Sequence, residues 1–122
     1  MDESEILSLL ANDILNKNHQ QPFDRILVEI QRQENFVGFC CWSFLNNEKN
    51  NLHLHLGFHE AKAIMKLYTI TQTQPPIHKD WNKAKLTLYP DGKVDMEYIW
   101  DAEWQAKIDK YNAEAEKSKN GE

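Results

Sequence analysis

The sequence predicts an α+β fold: an antiparallel sheet of about five strands, with an N-terminal helix, a helix before the last hairpin and a C-terminal helix. Three observations point there. Apolar residues recur at helical spacing in three stretches and at every second position in the stretches between them. Clusters of Asn, Gly and Pro punctuate these stretches, and a Pro-Asp-Gly turn sits between two alternating runs near the C-terminus. The length of 122 residues, 41% of them hydrophobic and 27% charged, suits a single globular domain over residues 1–122.

Asp2 or Ser4 caps a first helix in which Ile6, Leu7, Leu10, Ile14 and Leu15 share a face. In "FDRILVEIQ", Ile26, Val28 and Ile30 alternate with more polar neighbours, predicting a strand. "FVGFCCWSFL" is apolar almost throughout. It predicts the core strand, covered on both faces or bulged near Gly38. After a turn at "NNEKNN", "LHLHL" predicts a third strand with Leu52, Leu54 and Leu56 on one side and His53 and His55 on the other. From Glu60 to about Thr73 the period becomes helical, with Ile64, Leu67, Tyr68 and Thr71 on one face, and "QTQPPIHKD" stops that helix.

"KLTLYPDGKVDMEYIW" then reads as a hairpin. Ala84, Leu86 and Leu88 face the same way as Val94, Met96, Tyr98 and Trp100, and Pro90 and Gly92 preset the turn. Asp101 caps a last helix whose inner stripe is Trp104, Ile108, Tyr111 and Ala115.

A net charge of −5 repels a phosphate backbone, so direct nucleic-acid binding is not expected. No stretch approaches the roughly 20 apolar residues that span a bilayer, and the N-terminus lacks a secretory pattern, so a cytoplasmic protein is expected. Cys40 and Cys41 are adjacent, which on a strand points them to opposite faces; both are expected to be reduced packing residues.

His53, His55 and His59 form an H-x-H-x3-H spacing that offers half of a metal site, yet no Cys or HExxH partner accompanies them. Solvated histidines are the expectation, with no metal and no cofactor. A small metal-dependent enzyme built on these histidines is the alternative. No nucleophile elbow, P-loop or dinucleotide glycine pattern occurs, so no catalytic residue is assigned. The stretch from Val94 to Ala106 stands out, holding four acids and no Lys or Arg beside two tryptophans and a tyrosine. Trp100 and Trp104, taken singly, are expected in the core, and a strand's acids can be merely its wet side. Together, a charged rim and aromatic anchors suit a basic protein partner.

The C-terminal half, with "QPPIHKDWNKAKLTLYPDGKVDMEYIWD" after a helix, resembles the YezG-like immunity proteins of bacterial polymorphic toxin and contact-dependent growth inhibition systems. Trp81, Asp91, Gly92, Tyr98, Trp100 and Asp101 occupy the matching places, and the likeness spans roughly residues 61–110. The resemblance implies an immunity protein, or antitoxin, that binds a cognate toxin C-terminal domain. A basic nuclease is expected, neutralised by covering its active-site surface. The partner-binding residues expected on this reading are Asp95, Glu97 and Glu103 as charged contacts, with Ile99 or Trp104 as apolar anchor. Trp81 and Gly92 are expected to serve the fold, and a monomer is favoured. A structural adaptor is the other alternative, marked by a large apolar patch and self-association.

Overall fold

A computed structural model describes residues 2–19 and 21–119. The chain runs α1 (Glu3–Lys17), β1 (Arg25–Gln33), β2 (Phe36–Leu45), β3 (Glu48–Asn51), α2 (Phe58–Thr73), β4 (Lys83–Leu88), β5 (Val94–Ile99) and α3 (Ala102–Lys119). The strands form one antiparallel sheet in the order β3-β2-β1-β4-β5, so the α+β expectation holds.

The core lies on one side of this sheet. Ile26, Val28 and Ile30 of β1 and Ala84, Leu86 and Leu88 of β4 are buried together with Ile6, Leu10, Ala11 and Ile14 of α1 and Ile64, Leu67 and Ile70 of α2. The two-residue period of the strands thus meets the helical period of α1 and α2 along one apolar layer. At the start of α1 the Asp2 carboxylate accepts from the Glu5 N–H at 2.9 Å, the expected cap. Between β4 and β5, Tyr89 N–H donates to the Lys93 carbonyl and Gly92 N–H to the Tyr89 carbonyl, with Gly92 at φ 90°. That left-handed geometry is why glycine follows Asp91.

Two polar assemblies lock the helices and strands together. Glu60 on α2 is almost fully buried, and its carboxylate accepts from Lys17 at the end of α1 and from the Gly57 N–H at 3.1 Å. Lys17 also donates to the His55 carbonyl at 2.7 Å and lies 3.6 Å from Asp13. Burial alone raises a carboxyl's pKa, but the Lys17 bond and the surrounding donors overcome it and hold Glu60 at about 2. Asp13 moves the opposite way, raised by burial and by the Glu60 charge beside it.

The second assembly surrounds Trp81, which is completely buried. Its indole N–H donates to Thr71 Oγ1 at 2.9 Å, and its carbonyl accepts from Arg32 Nη2 at 2.7 Å and Nε at 3.1 Å. The Arg32 guanidinium lies 3.5 Å above the Tyr68 ring, and Tyr68 O–H donates to Asp80 at 2.7 Å. Tyr98 stacks 5.0 Å from Trp81 and donates its hydroxyl to Glu3 at 2.8 Å. One tryptophan therefore joins β1, α2, β5 and, through Tyr98, the start of α1.

Three expectations are corrected. "LHLHL" is not the third strand: β3 is Glu48–Asn51, because Asn46 and Asn47 both adopt positive φ, at 53° and 67°, and close a two-residue hairpin directly after β2. Leu52 adds one more rung through its N–H to the Cys41 carbonyl, after which the chain leaves the sheet for α2. Leu52, Leu54 and Leu56 still pack against the core while His53 and His55 are exposed. Second, β2 is not the core strand. Its pairing with β1 is unbroken past Gly38 and it is only half-buried; the buried centre is β1 with β4. Its apolar run has two separate causes, since Val37, Phe39 and Cys41 pack toward the helices, whereas Trp42 and Phe44 on the other face are capped by Lys49 at 4.1 Å and Arg25 at 4.0 Å. Third, the stripe of α3 is not an inner one, because Tyr111 is 69% exposed and Trp104 and Ile108 are only partly covered.

Removing the Trp81 side chain as Trp81→Ala is expected to lower unfolding free energy by about 3–5 kcal/mol. Thr71→Val, which strands the buried indole N–H, is expected to cost about 1–3 kcal/mol; denaturant melts measure both. Because Glu60 is held at about 2 in the fold, its contribution is complete above the ordinary carboxylate range and is lost as pH falls toward about 2. Asp13 offsets part of this, its raised pKa favouring the fold at lower pH. Glu60→Gln is expected to lower stability at neutral pH and flatten its acid limb, and melts between neutral pH and the acid limit test this.

Candidate functional site

The register of the last hairpin decides where the proposed contact residues sit. Met96 pairs with buried Leu86 and Val94 with buried Leu88, so Val94, Met96 and Tyr98 face the helices. Asp95, Glu97 and Ile99 therefore project together from the opposite face, across from Thr87, Lys85 and Lys83. Asp95 and Glu97 are exposed and Ile99 is half-buried. Neither acid forms an ion pair among the described residues.

Asp101 places the start of α3 beside this face. Its carboxylate accepts from the Trp104 N–H at 2.9 Å, the expected cap, and from Lys83 at 2.7 Å. The Lys83 bond, then the Trp104 N–H, hold its pKa below the usual carboxylate range. Asn82 completes the joint, donating to the Asp101 carbonyl at 2.9 Å and accepting from the Asp101 N–H at 2.8 Å. Lys83 Nζ also lies 5.2 Å from the Trp104 ring, so Trp104 stands next to the side chain that borders Ile99. Glu103 is exposed in the first turn of α3, where its charge complements the helix dipole. Trp100 is 47% exposed rather than in the core, because it follows β5 and has left the apolar layer.

The expected residues thus divide. Asp95, Glu97 and Ile99 share one strand face, Trp104 adjoins it through Lys83, and Glu103 stands apart on α3. Sequence reading over Val94–Ala106 missed two bases, since Lys83 and Lys85 come from the neighbouring strand and interleave with the acids. Counting outward from the Asp-Gly turn would have found them. The same face continues over β1 and β2, where Glu29, Phe36, Cys40, Lys83, Lys85 and Ile99 line a shallow cleft of about 210 Å³. Phe36 is 56% exposed there.

The histidines give no comparable arrangement. His53, His55 and His59 are all exposed, the first two on the irregular segment after β3 and the third in α2, so the strand that was to align His53 with His55 does not exist. Among the described residues no group of three or more His, Cys, Asp or Glu side chains converges to hold a metal ion. No helix among them is long and apolar enough to cross a membrane. No family model matches the chain, and no curated protein matches it.

Cys40 and Cys41 are free and lie on opposite faces of β2, as expected, but only Cys41 is a packing residue: it lies against the core with its thiol pushed up to about 11 by burial and by Cys40, whereas Cys40 is exposed because its side of β2 faces away from the helices. A maleimide probe at neutral pH is expected to label Cys40 at least about tenfold faster than Cys41, because the thiolate is the reactive form. Mass spectrometry of Cys40→Ser and Cys41→Ser measures the two rates separately.

Proposed function

We propose that this chain is a non-catalytic immunity protein of the cytoplasm that binds a cognate bacterial toxin domain and neutralises it by covering its basic active-site surface. The observation that carries the reading is the joint presentation of Asp95, Glu97 and Ile99 on one strand face, with Trp104 beside it. Two acids without an ion pair among the described residues, in line with an apolar residue, supply long-range attraction and a contact that can be desolvated. A nuclease is the favoured toxin, because its phosphate substrate requires a basic groove and an acidic inhibitor matches that charge. The likeness of residues 61–110 to the YezG-like immunity pattern supports the same class.

On this reading Lys83 and Lys85 set register. They leave a toxin's basic groove attracted only where it meets the β5 side of the face and repelled where it slides toward β4. Binding alone inhibits, and no covalent step is involved.

Reversing Asp95, Glu97 and Glu103 to Lys together is expected to weaken binding to a basic toxin domain that co-purifies with the native chain by at least about a hundredfold at low salt, and less at high salt. Co-expression with that toxin is expected to protect cell growth with the native chain and not with the triple variant. Undiminished affinity in a folded triple variant overturns the contact assignment, and growth arrest despite the native chain overturns the immunity reading.

A further inference from the structure

Strand β5 ends the sheet. Hydrogen bonding alternates along antiparallel strands. The Tyr89 N–H to Lys93 carbonyl bond fixes the phase, so residues 95, 97 and 99 exchange bonds with β4. The N–H and C=O groups of Val94, Met96 and Tyr98 consequently point outward, and no side chain or loop among the described residues caps them. The other edge differs: β3 has four residues, Glu48–Asn51, all exposed and polar. Strand β5 pairs regularly over six residues, without proline, and offers the better template.

Depressions flank this edge on the helix side. Val94 borders a cleft of about 450 Å³ that Leu7, Ile70, Pro75 and Pro76 also line. Tyr98 borders a second of about 310 Å³ with His78 and Trp100. An added strand would direct alternate side chains toward these clefts and the others past Asp95 and Glu97, where cross-strand neighbours approach to about 5 Å.

We propose that β5 is a pairing edge for a strand of a partner protein that carries Lys or Arg at alternate positions and apolar residues between them. The proposal rests on the reading of this chain as a binder of a basic protein and specifies how the partner is held: main-chain bonds to Val94, Met96 and Tyr98 give affinity, and the clefts and acids select the side chains. Charge disfavours a second copy as the occupant in the registers that use the whole strand. Each antiparallel pairing of β5 with itself that seats Met96 opposite Val94, Met96 or Tyr98 of the other copy sets Asp95 or Glu97 against Asp95 or Glu97, and facing like charges oppose pairing. A basic strand places opposite charge at the same points.

The test is hydrogen exchange followed by NMR on the full chain, with a synthetic peptide alternating Lys and Val over the length of β5. Exchange at Val94, Met96 and Tyr98 is expected to slow by at least about tenfold, with no such change for a peptide alternating Glu and Val. The double variant Asp95→Lys with Glu97→Lys is expected to reverse the preference. Protection elsewhere on the chain, no protection at these amides, or an unreversed preference overturns the proposal; so does protection that appears without peptide and grows with protein concentration, which identifies a second copy. Toxin binding that leaves the three amides exchanging freely removes this proposal while the immunity reading stands. Peptide protection at these amides, together with growth arrest in the co-expression assay, upholds the edge and removes the immunity reading alone.

Discussion

The burial of Trp81 governs how the two layers meet. A tryptophan delivers a large apolar area but brings an N–H that must be satisfied, and the carbonyl of the same residue is buried beside it. Thr71 meets the first need and Arg32 the second, which forces α2 and the end of β1 into fixed positions around the segment that leads into β4. Arg32 in turn is only tolerable inside because Tyr68 lies under its guanidinium and Asp80 lies 3.7 Å away. Tyr98 extends the same constraint to β5 and α1.

With α1 and α2 spent on one side, the opposite face of the sheet meets a helix, among the described residues, only at the start of α3, where Trp104 lies beside Lys83. Among the described residues the hydrogen bonds between α3 and the body lie at its first turn, through Asn82, Lys83 and Gln105. The open face protects its aromatics differently. Arg25 and Lys49 set their charged groups over the rings of Phe44 and Trp42, at 4.0 and 4.1 Å. Toward β5 this screen gives way to alternating Lys and acid, and the sheet ends in a regular edge. The same one-sided packing that defines the core therefore produces the surface on which the functional proposals rest.

Much of the fold was legible because local chemistry and tertiary environment agree. The capping acids Asp2 and Asp101, the Asp-Gly turn and the alternation of Ile26, Val28 and Ile30 each signal a structure that short-range physics already favours. Legibility failed where one pattern had two causes. The run "FVGFCCWSFL" looks like a doubly covered strand, but its outer aromatics are screened by cations from β1 and β3. "LHLHL" keeps its alternation without a partner strand, since leucines facing a core need only a surface to pack on.

The sequence by itself determined the helices, the hairpin, the inward face of β1 and β4, and the outward set of Asp95, Glu97 and Ile99, because side-chain period follows directly from backbone geometry. Tertiary structure alone decided strand order, which sets β4 beside β1 and continues the face of Asp95, Glu97 and Ile99 over β1 and β2. It also decided that α3 stands largely uncovered and that β5 is an edge. Those outcomes depend on contacts between residues far apart in the chain, which local period and turn chemistry do not encode.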